Sequence, residues 1–460
     1  MLGNSSQQVA QMLQSMKKGS VGYQTPLVPA GGSQTAQNLS PLVPQQLAQT
    51  LSVATSTMQD LKLFPMLSKV MASNTVVEYN RVLNHGAEHS PFIAEGGLAP
   101  LNRSTYEKVA VQIKYLAERR EITDQATLLN LVGGTPDALA EETRRGTEAL
   151  LRRLEKELFH GDSSVNPLSW DGMIKQISDG GNVADLRGAS LTANYLAEIL
   201  GTLYSAPFYG MATHILVTPR VLSKLIQDTT SGGRHDQLAI RESSRFVYGS
   251  RSIYITAPYG EVEVVACPFL ERHDRNAPAL NSPAVYGSIA VDDNISIGNI
   301  STPVDATSKF NTADHAGNYY YRVVPVGAGG VGKAQDSIAI AVANGDNVTF
   351  DITSDTTVSH FRIYRSAVDA TDANKALLIR EIARSGNVTT FIDRNEKIGG
   401  TSDVLVINNS PEYNCYYQML SLTRRQLAQT STSLPFLLMM FGAPAVKLPS
   451  KQYIISNVGS

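Results

Sequence analysis

A glycine-rich segment ending in lysine is the part of the sequence that comes closest to a catalytic motif. Residues Gly327 to Lys333 read GAGGVGK, which approaches the phosphate-binding loop of nucleotide hydrolases. That loop needs Ser or Thr after the lysine to reach Mg²⁺, and a helix whose first turn holds the phosphates. Here Ala334 and a strand-like SIAIAVA run follow instead. We therefore interpret Gly327, Gly332 and Lys333 as a flexible loop between strands and predict no nucleotide site.

A pair of histidines offers a candidate metal site. His85 and His89 are four residues apart and enclose Glu88, which resembles a ligand spacing. The spacing brings the side chains together only on a helix, and the neighbouring Gly86 and Pro91 oppose one. The other histidines are dispersed, and no Ser, Cys or His lies in a recognisable nucleophile motif. The sequence thus predicts no catalytic residue, no metal, no cofactor and no enzyme.

Two lysines are candidates for covalent cross-linking. Lys108 and Lys114 lie in a strand-like run, and a lysine can attack an amide carbon when a carboxylate activates it. The amide and the carboxylate would have to come from other subunits. Cross-linking therefore stays an open alternative to an ordinary exposed position for both side chains.

The composition limits the classes of function. The chain has 460 residues, enough for two or three domains, and only 17% are charged, with a formal net charge of −2. This balance excludes attraction of nucleic acid by a basic field. Cys267 and Cys415 are far apart, which excludes a disulfide framework and fits a reducing compartment. The N-terminus lacks a signal-peptide core, and the longest apolar run, Leu434–Val446, is too short for a membrane span.

Two strand-like runs and the long connection between them predict an extended ribbon. The runs are Thr75–Leu83 and Thr105–Thr123, and the second alternates apolar and polar residues. The connection is too long for a tight hairpin, yet it carries apolar residues that need a surface to cover: Phe92, Ile93, Leu98 and Leu101. Because a two-stranded ribbon is not stable alone, we expect this one to lie on another copy of the chain.

One long helix is predicted to brace the fold. Thr135 can cap it, Pro136 suits its first position, and Gly161 follows its end. Its apolar stripe, with Leu150, Leu154 and Leu158 toward the end, is too thin for a helical bundle. We expect the helix to lie across a sheet, with its Arg and Glu flanks facing solvent or adjacent subunits.

The rest of the chain divides by composition. Residues 1–56 are rich in Gln, Ser, Thr, Pro and Gly, and we predict an arm that orders only against a neighbouring subunit. Residues 170–301 mix helix and strand patterns, whereas 302–397 show short strands separated by turns, as in an immunoglobulin or fibronectin-type sandwich. The mixed pattern resumes afterwards, with a helix expected at Met419–Gln429 and a final strand in KQYIISNVG.

This order of parts, with the ribbon tip SPFIAEGGLAP and the terminal APAVKLPSKQYIISNVG, resembles the major capsid proteins of tailed bacteriophages. The resemblance implies an α+β fold of the Hong Kong 97 type, with an immunoglobulin-like domain inserted and displayed on the outer surface. It assigns 1–56 to an N-terminal arm, 57–135 to the extended loop and its base, 136–169 to the spine helix of the peripheral domain, 170–301 to the axial domain, 302–397 to the insertion, 398–441 to the axial return and 442–460 to a closing strand of the peripheral domain.

The resemblance also implies partners and a location. The chain would assemble with itself into hexamers and pentamers of an icosahedral shell that encloses double-stranded DNA without sequence specificity. Scaffolding, portal and decoration proteins would be further partners, with assembly in the host cytoplasm, residence in the virion capsid and no membrane contact. The expected subunit contacts are Phe92, Ile93, Leu98, Arg103, Lys108, Lys114, Arg119, Arg120, Arg145 and Arg152.

Other functions remain as alternatives. An encapsulin-type compartment shell would share the fold but hold enzyme cargo. A secreted adhesin with a fibronectin-like module is weakened by the missing signal peptide. For Arg119 and Arg120, a solvated face is the alternative to intersubunit ion pairs, because exposed ion pairs contribute little.

Overall fold

The computed structural model describes residues 58–86, 92–127, 138–231, 238–240, 253–272, 274–280, 284–285, 295–310, 315–327, 330–429 and 432–459. The predicted N-terminal arm, the capping Thr135 with Pro136, and the Glu88–His89 part of the histidine pair lie outside these residues. Helices are α1 Leu63–Met66, α2 Asp124–Thr127, α3 Ala138–His160, α4 Met173–Asp179, α5 Ala193–Tyr204 and α6 Pro219–Ser231.

Strands make up most of the remaining described chain, so the fold is α+β and mainly β. The first nine are β1 Ser68–Met71, β2 Val76–Asn84, β3 Thr105–Gln112, β4 Lys114–Thr123, β5 Val183–Asp185, β6 His214–Val217, β7 Leu238–Ile240, β8 Ile253–Ala257 and β9 Gly260–Ala266. The following seven are β10 Ala284–Val285, β11 Ser296–Ser301, β12 Gly317–Tyr319, β13 Tyr321–Gly327, β14 Gly330–Val331, β15 Gln335–Asp336 and β16 Ile340–Val342. The last eight are β17 Val348–Thr353, β18 Val358–Arg365, β19 Leu377–Ala383, β20 Val388–Asp393, β21 Ser402–Ile407, β22 Asn414–Gln426, β23 Ser433–Val446 and β24 Tyr453–Val458.

A four-stranded sheet in the order β1-β22-β23-β4 supports the long helix. The expectation of a helix at Met419–Gln429 was wrong, because Asn414–Gln426 forms strand β22, which pairs with both β1 and β23. Leu, Arg and Gln favour helices in isolation, but pairing with neighbours on both sides overrides that local preference.

Helix α3 packs on this sheet, as its apolar stripe predicted. Leu150 forms a cluster with Phe436 and Leu438 of β23, while Leu154 and Leu158 enter the main core beside Trp170. At Gly146 the helix approaches the sheet so closely that a Cβ atom would lie 2.6 Å from Leu438 Cδ1. These contacts confirm the predicted inward face.

A seven-stranded sheet, ordered β5-β24-β21-β6-β9-β8-β7, forms the second layer. One face meets the core around α3, and the other carries a separate core with α5 and α6. Strand β24 lies between β5 and β21 of this sheet, and its buried Ile454, Ile455 and Val458 complete it. Ile454 also belongs to the core that contains Leu154 and Leu158 of the long helix. The assignment of the terminal strand to the same domain as that helix stays a prediction.

Nine strands, β10, β11, β13, β14, β15, β17, β18, β19 and β20, form a sandwich with its own core. One sheet is ordered β10-β14-β13-β18-β19 with β15 also on β13, and the other is β11-β17-β20. Their facing side chains include Tyr321, Phe350 and Phe361, each 0% exposed. Residues before 302 also pair with the sandwich, because β11 pairs with β17 and Asn276 bridges Leu377. These early strands are short and did not share the composition that marked the sandwich.

The glycine-rich segment lies inside this sandwich. Gly327 ends β13 and pairs with Gly330 of β14, and the Gly332 amide donates to the Pro325 carbonyl at 2.9 Å. Strand β15 follows Lys333 where a phosphate-binding loop would need a helix. This agrees with the interpretation as a loop between strands.

Candidate assembly surface

Strands β2 and β3 pair as the predicted ribbon. Their antiparallel register runs from Val76 opposite Gln112 to Asn84 opposite Thr105. The predicted single run Thr105–Thr123 is divided at Ile113, which is buried and donates its amide to the Thr75 carbonyl at 2.8 Å. Before Ile113 the chain belongs to the ribbon, and after it β4 pairs with β23. Ile113 therefore marks the point where the ribbon leaves the body.

The base of the ribbon is held by the body of the subunit. Val77, Tyr79 and Val111 pack against the main core from one face. The Tyr79 hydroxyl donates to the Val446 carbonyl at 3.3 Å, and burial raises the pKa of Tyr79. This part of the ribbon therefore covers a surface of its own subunit.

The tip of the ribbon is apolar and exposed. Its side chains are 88% exposed at Phe92, 54% at Ile93, 97% at Leu98 and 80% at Leu101. Full burial of one such side chain is worth about 1.5–3 kcal/mol. Arg103 is also exposed, two residues before β3 begins. The role of Phe92, Ile93, Leu98 and Arg103 as subunit contacts stays a prediction.

Charged pairs flank the exposed part of the ribbon. Lys108 pairs with Glu78 across the strands, and the Arg81 Nε atom lies 2.6 Å from Glu107 Oε2. The Lys114 ammonium donates to the Pro167 carbonyl at 2.7 Å. Both cross-linking candidates therefore bind groups of their own chain here. Cross-linking requires partners from other subunits and stays a prediction.

The arginines at the base of the ribbon have different environments. Arg119 pairs with Glu121 at 3.1 Å on an exposed face. Arg120 joins Glu118 of β4 to Glu142 of α3, with donor distances of 2.7 Å to each carboxylate. Burial lowers the pKa of Arg120, but the bonds to Glu142 and Glu118 outweigh it and leave the pKa raised. Arg120 thus ties the sheet to the helix within one subunit.

The two arginines expected as contacts on α3 also differ. Arg145 lies 2.7 Å from Glu141 and 3.1 Å from Glu148, both on the same helix. Arg152 is half-buried and makes no ion pair within the ranges that the structure describes. Its charge contributes to the lowered pKa of Lys156, after the larger effect of burial. Of these two arginines, Arg152 is therefore the better candidate for an ion pair with a neighbouring subunit.

Sequence reasoning missed a buried carboxylate on the same helix. Glu155 is 1% exposed and accepts the backbone amides of Lys62, Leu63 and Phe64 at 2.9, 2.5 and 2.8 Å. Burial raises the pKa of Glu155, against the lowering effect of these amides. The bonds cap α1 and fix the segment that leads through β1 to the ribbon. The available signal was a glutamate inside an apolar stripe, next to Leu154.

The described residues show no clear candidate for a catalytic or metal-binding site. Among them, no group of three His, Cys, Asp or Glu residues is arranged to hold a metal ion. Two cavities of about 300 and 190 Å³ lie between the end of α3 and the sandwich, and ion-paired side chains line much of both. No helix in the described ranges has the length and apolar character to cross a membrane. The exposed ribbon is the feature with the clearest functional use.

Known proteins resemble this chain over nearly its full length. No protein-family model matches it. It is 24% identical over 441 residues to the major capsid protein of Staphylococcus phage S25-3, covering 90% of this chain and 89% of that protein. The major capsid protein of Staphylococcus phage K gives the same values. The putative major capsid protein of Enterococcus phage phiEF24C is 24% identical over 418 residues, covering 87% and 86%.

Solved structures give weaker likenesses. The capsid of the native GTA particle has a TM-score of 0.47 at 9% identity, covering 94% of this chain and 100% of that one. Gordonia phage Cozz gives 0.46 at 11%, covering 94% and 98%. The SrpI encapsulin of Synechococcus elongatus PCC 7942 gives 0.45 at 10%, covering 93% and 96%. These TM-scores lie below 0.5 and carry no weight for the fold. The curated relatives confirm the resemblance to phage capsid proteins that the sequence suggested, but they do not show an inserted immunoglobulin-like domain.

Proposed function

We propose, starting from the similarity to phage major capsid proteins, that this chain assembles into the shell of a tailed bacteriophage. One observation carries the proposal: the match extends over 90% of the chain and 89% of the relative. The exposed apolar tip supplies the physical reason for self-association. The role is structural, without a catalytic step.

The architecture supports a Hong Kong 97-type arrangement. We assign β2, β3 and the tip to the extended loop, and α3 with the four-stranded sheet to the peripheral domain. The seven-stranded sheet with α5 and α6 corresponds to the axial domain, and the sandwich to an inserted immunoglobulin-like domain on the outer surface. Residues 1–56 serve as the N-terminal arm in this assignment.

Assembly follows from what one subunit leaves uncovered. The apolar tip gains burial only when it lies on a second copy, and the gain repeats at each contact of a hexamer or pentamer. Arg103 and Arg152 bring charge to the same contacts, while Arg120 and Arg145 already have partners within the subunit. Because the net charge is only −2, enclosed double-stranded DNA is held by confinement more than by attraction.

Further partners belong to the same proposal. A shell of this kind needs a scaffolding protein to set its curvature and a portal through which DNA enters. A decoration protein would bind the outer face beside the sandwich. Assembly would take place in the host cytoplasm, before the shell becomes the virion capsid.

Negative-stain microscopy of the purified protein tests the proposal. We expect closed shells from the native chain, with scaffolding protein added if needed, and unassembled subunits from a Phe92→Ser/Leu98→Ser variant. The matched control is Ile338→Ser, which removes an apolar side chain that is 71% exposed on the sandwich. The control should still form shells, since its position is away from the tip.

Two results would contradict the proposal. Native protein that remains monomeric under all assembly conditions would remove the shell function. Shells from infected cells that contain enzyme cargo and no DNA would favour a compartment protein instead. If the tip variant assembles as well as the native chain, the shell function would be retained. The proposed role of the ribbon tip as a subunit contact would then be contradicted.

A further inference from the structure

The sandwich is joined to the seven-stranded sheet by a polar network, here named the sheet joint. The Lys309 ammonium lies 2.7 Å from the Asp185 carboxylate. Arg187 donates to the carbonyls of Asn395 and Lys309 at 2.7 and 2.8 Å. Asn457 of β24 donates to the Glu396 carbonyl at 2.8 Å and to Asp185 at 2.7 Å. These hydrogen bonds therefore link the edge of the seven-stranded sheet to the sandwich. The bond from Asn457 to Asp185 also orients the carboxylate that Lys309 contacts.

The Asp185 carboxylate is the centre of the sheet joint. Burial raises its pKa, but the bonds from Lys309 and Asn457 outweigh burial and leave the pKa lowered. Asn457 and Asn395 are almost fully buried. Hydrogen bonds that involve charged groups in such surroundings are stronger than exposed ones. The sheet joint is thus a fixed connection and not a loose tether.

A second network, here named the helix joint, connects the sandwich to the chain beside the end of α3. Arg272 donates to Asp274 and Glu381 at 2.9 and 2.5 Å, and the Arg362 Nε atom lies 2.9 Å from Glu381. Burial lowers the pKa of Arg272, yet the carboxylates of Glu381 and Asp274 raise it overall. For Glu381, burial raises the pKa and Arg272 lowers it, with a net lowering.

The helix joint reaches α3 through a short path. Phe269 and Leu270 precede Arg272 and belong to the same core as Leu158 and Phe159 of the helix. The His160 Nε2 atom lies 3.0 Å from the Leu270 carbonyl oxygen. The position of Arg272 is therefore coupled to the last turn of α3 through Phe269 and Leu270.

Open space separates the sandwich from the helix elsewhere. The two cavities of about 300 and 190 Å³ are both lined by His160 on one side, and by Arg380 or Glu381 of β19 on the other. Apolar side chains such as Phe159 and Ile379 share the lining of the larger cavity with charged ones. The polar contacts of the two joints therefore bridge this space.

We propose that the sandwich is a clamp that holds the last turn of α3 in place against the seven-stranded sheet. It grips the sheet edge through Asp185 and Asn457, and the helix end through Arg272 and Glu381. Because the two joints contact different host elements, the sandwich spans their junction. This role acts within one subunit and does not depend on the proposed shell function.

Hydrogen exchange in the full-length, unassembled subunit tests the clamp. The first variant is Glu381→Gln, which leaves Arg272 and Arg362 with one carboxylate fewer. We expect amides in Phe159–Asp162 to exchange about tenfold faster, while the sandwich strand Val348–Thr353 changes by less than about twofold. The matched control is Asp372→Asn, which neutralises an exposed carboxylate of the sandwich that accepts hydrogen bonds from Asn374 and belongs to neither joint. The control should leave both regions unchanged.

A second variant acts at the other joint. Lys309→Met removes the ammonium from Asp185, and we expect faster exchange in Tyr453–Val458 together with the same amides at the helix end. Equal acceleration in Val348–Thr353 and the helix end would overturn the proposal, since the joints would then only support the sandwich itself. Unchanged exchange at the helix end in both variants would overturn it as well.

Discussion

The ribbon and the sandwich are both antiparallel β-structures, but they differ in how they bury apolar side chains. In the sandwich, two sheets face each other and enclose Tyr321, Phe350 and Phe361 completely. The ribbon has only β2 and β3, and at its tip Leu98 is 97% exposed. Two strands have no second layer to pack against, so the ribbon cannot form a core of its own.

This difference assigns the two regions to different tasks. The sandwich buries its apolar core within one chain. Its contacts with the seven-stranded sheet and with the chain beside α3 are polar. In the ribbon, Val77, Tyr79 and Val111 pack against the body, whereas the apolar side chains of the tip are exposed. Mutations should therefore affect folding in the sandwich and association at the ribbon tip.

The largest expected effect on stability is in the sandwich core. Phe350→Ala removes a fully buried ring that packs at a tilted angle against Phe391, with 5.3 Å between the ring centroids. We expect unfolding of the sandwich to become easier by about 3–5 kcal/mol, as for large aromatic deletions in cores. Chemical denaturation followed by tyrosine fluorescence measures this change.

The matched control keeps the same domain but changes an exposed position. Ile338→Ala should alter the free energy of unfolding by less than about 0.5 kcal/mol, because the side chain is 71% exposed. A comparable loss in both variants would contradict the view that the sandwich carries its own core.

An intermediate effect is expected from acid at the junction of α3 and the sandwich. Burial, with a smaller contribution from Arg272, lowers the pKa of His160 to about 4, and burial lowers that of His360. The folded state then binds fewer protons than the unfolded one, so stability is fully present above about pH 6.5 and is lost as pH falls toward about 4. We expect a loss of about 1–3 kcal/mol across this window.

Denaturation curves between neutral and acid pH measure this loss. His360→Gln should reduce the slope of stability against pH, because it removes one of the two groups. A slope that is identical in the native chain and in His360→Gln would contradict this account of the junction.

The smallest effect is expected on the flank of the ribbon. Lys108 and Glu78 form a cross-strand pair, but both side chains are more than half exposed. Exposed pairs contribute about 0–1 kcal/mol, so Lys108→Ala should barely change the stability of the subunit. A double-mutant cycle with Glu78→Ala measures the coupling. Coupling well above this range would show that the ribbon is stabilised by its own charges.

The sequence predicted the parts of the fold that follow a local pattern. The apolar stripe of Leu150, Leu154 and Leu158 predicted both the helix and its buried face. The alternation in Thr105–Thr123 predicted strands, which form as β3 and β4. In each case the residues that determine the structure are close together in sequence.

The parts that were missed depend on pairing between distant residues. Strand β22 was mistaken for a helix because its partners, β1 and β23, could not be recognised from its own residues. The sheet neighbours of strand β24 could not be read from its own residues, because β5 lies far away in sequence. Glu155 shows the same limit, since its partners are the amides of Lys62–Phe64. Of the candidate contacts, the exposed tip was predictable from its apolar residues alone, whereas the intrachain partners of Arg120 and Arg145 were not.

The most direct test of the central claim is hydrogen exchange of the ribbon before and after assembly. We predict that amides in Val76–Asn84 and Thr105–Gln112 become at least about tenfold more protected in the assembled shell than in the free subunit. Sandwich strands such as Val348–Thr353 should show the same protection in both states. If the ribbon is as well protected in the free subunit as in the shell, it does not depend on a neighbouring copy, and the account given for it is wrong.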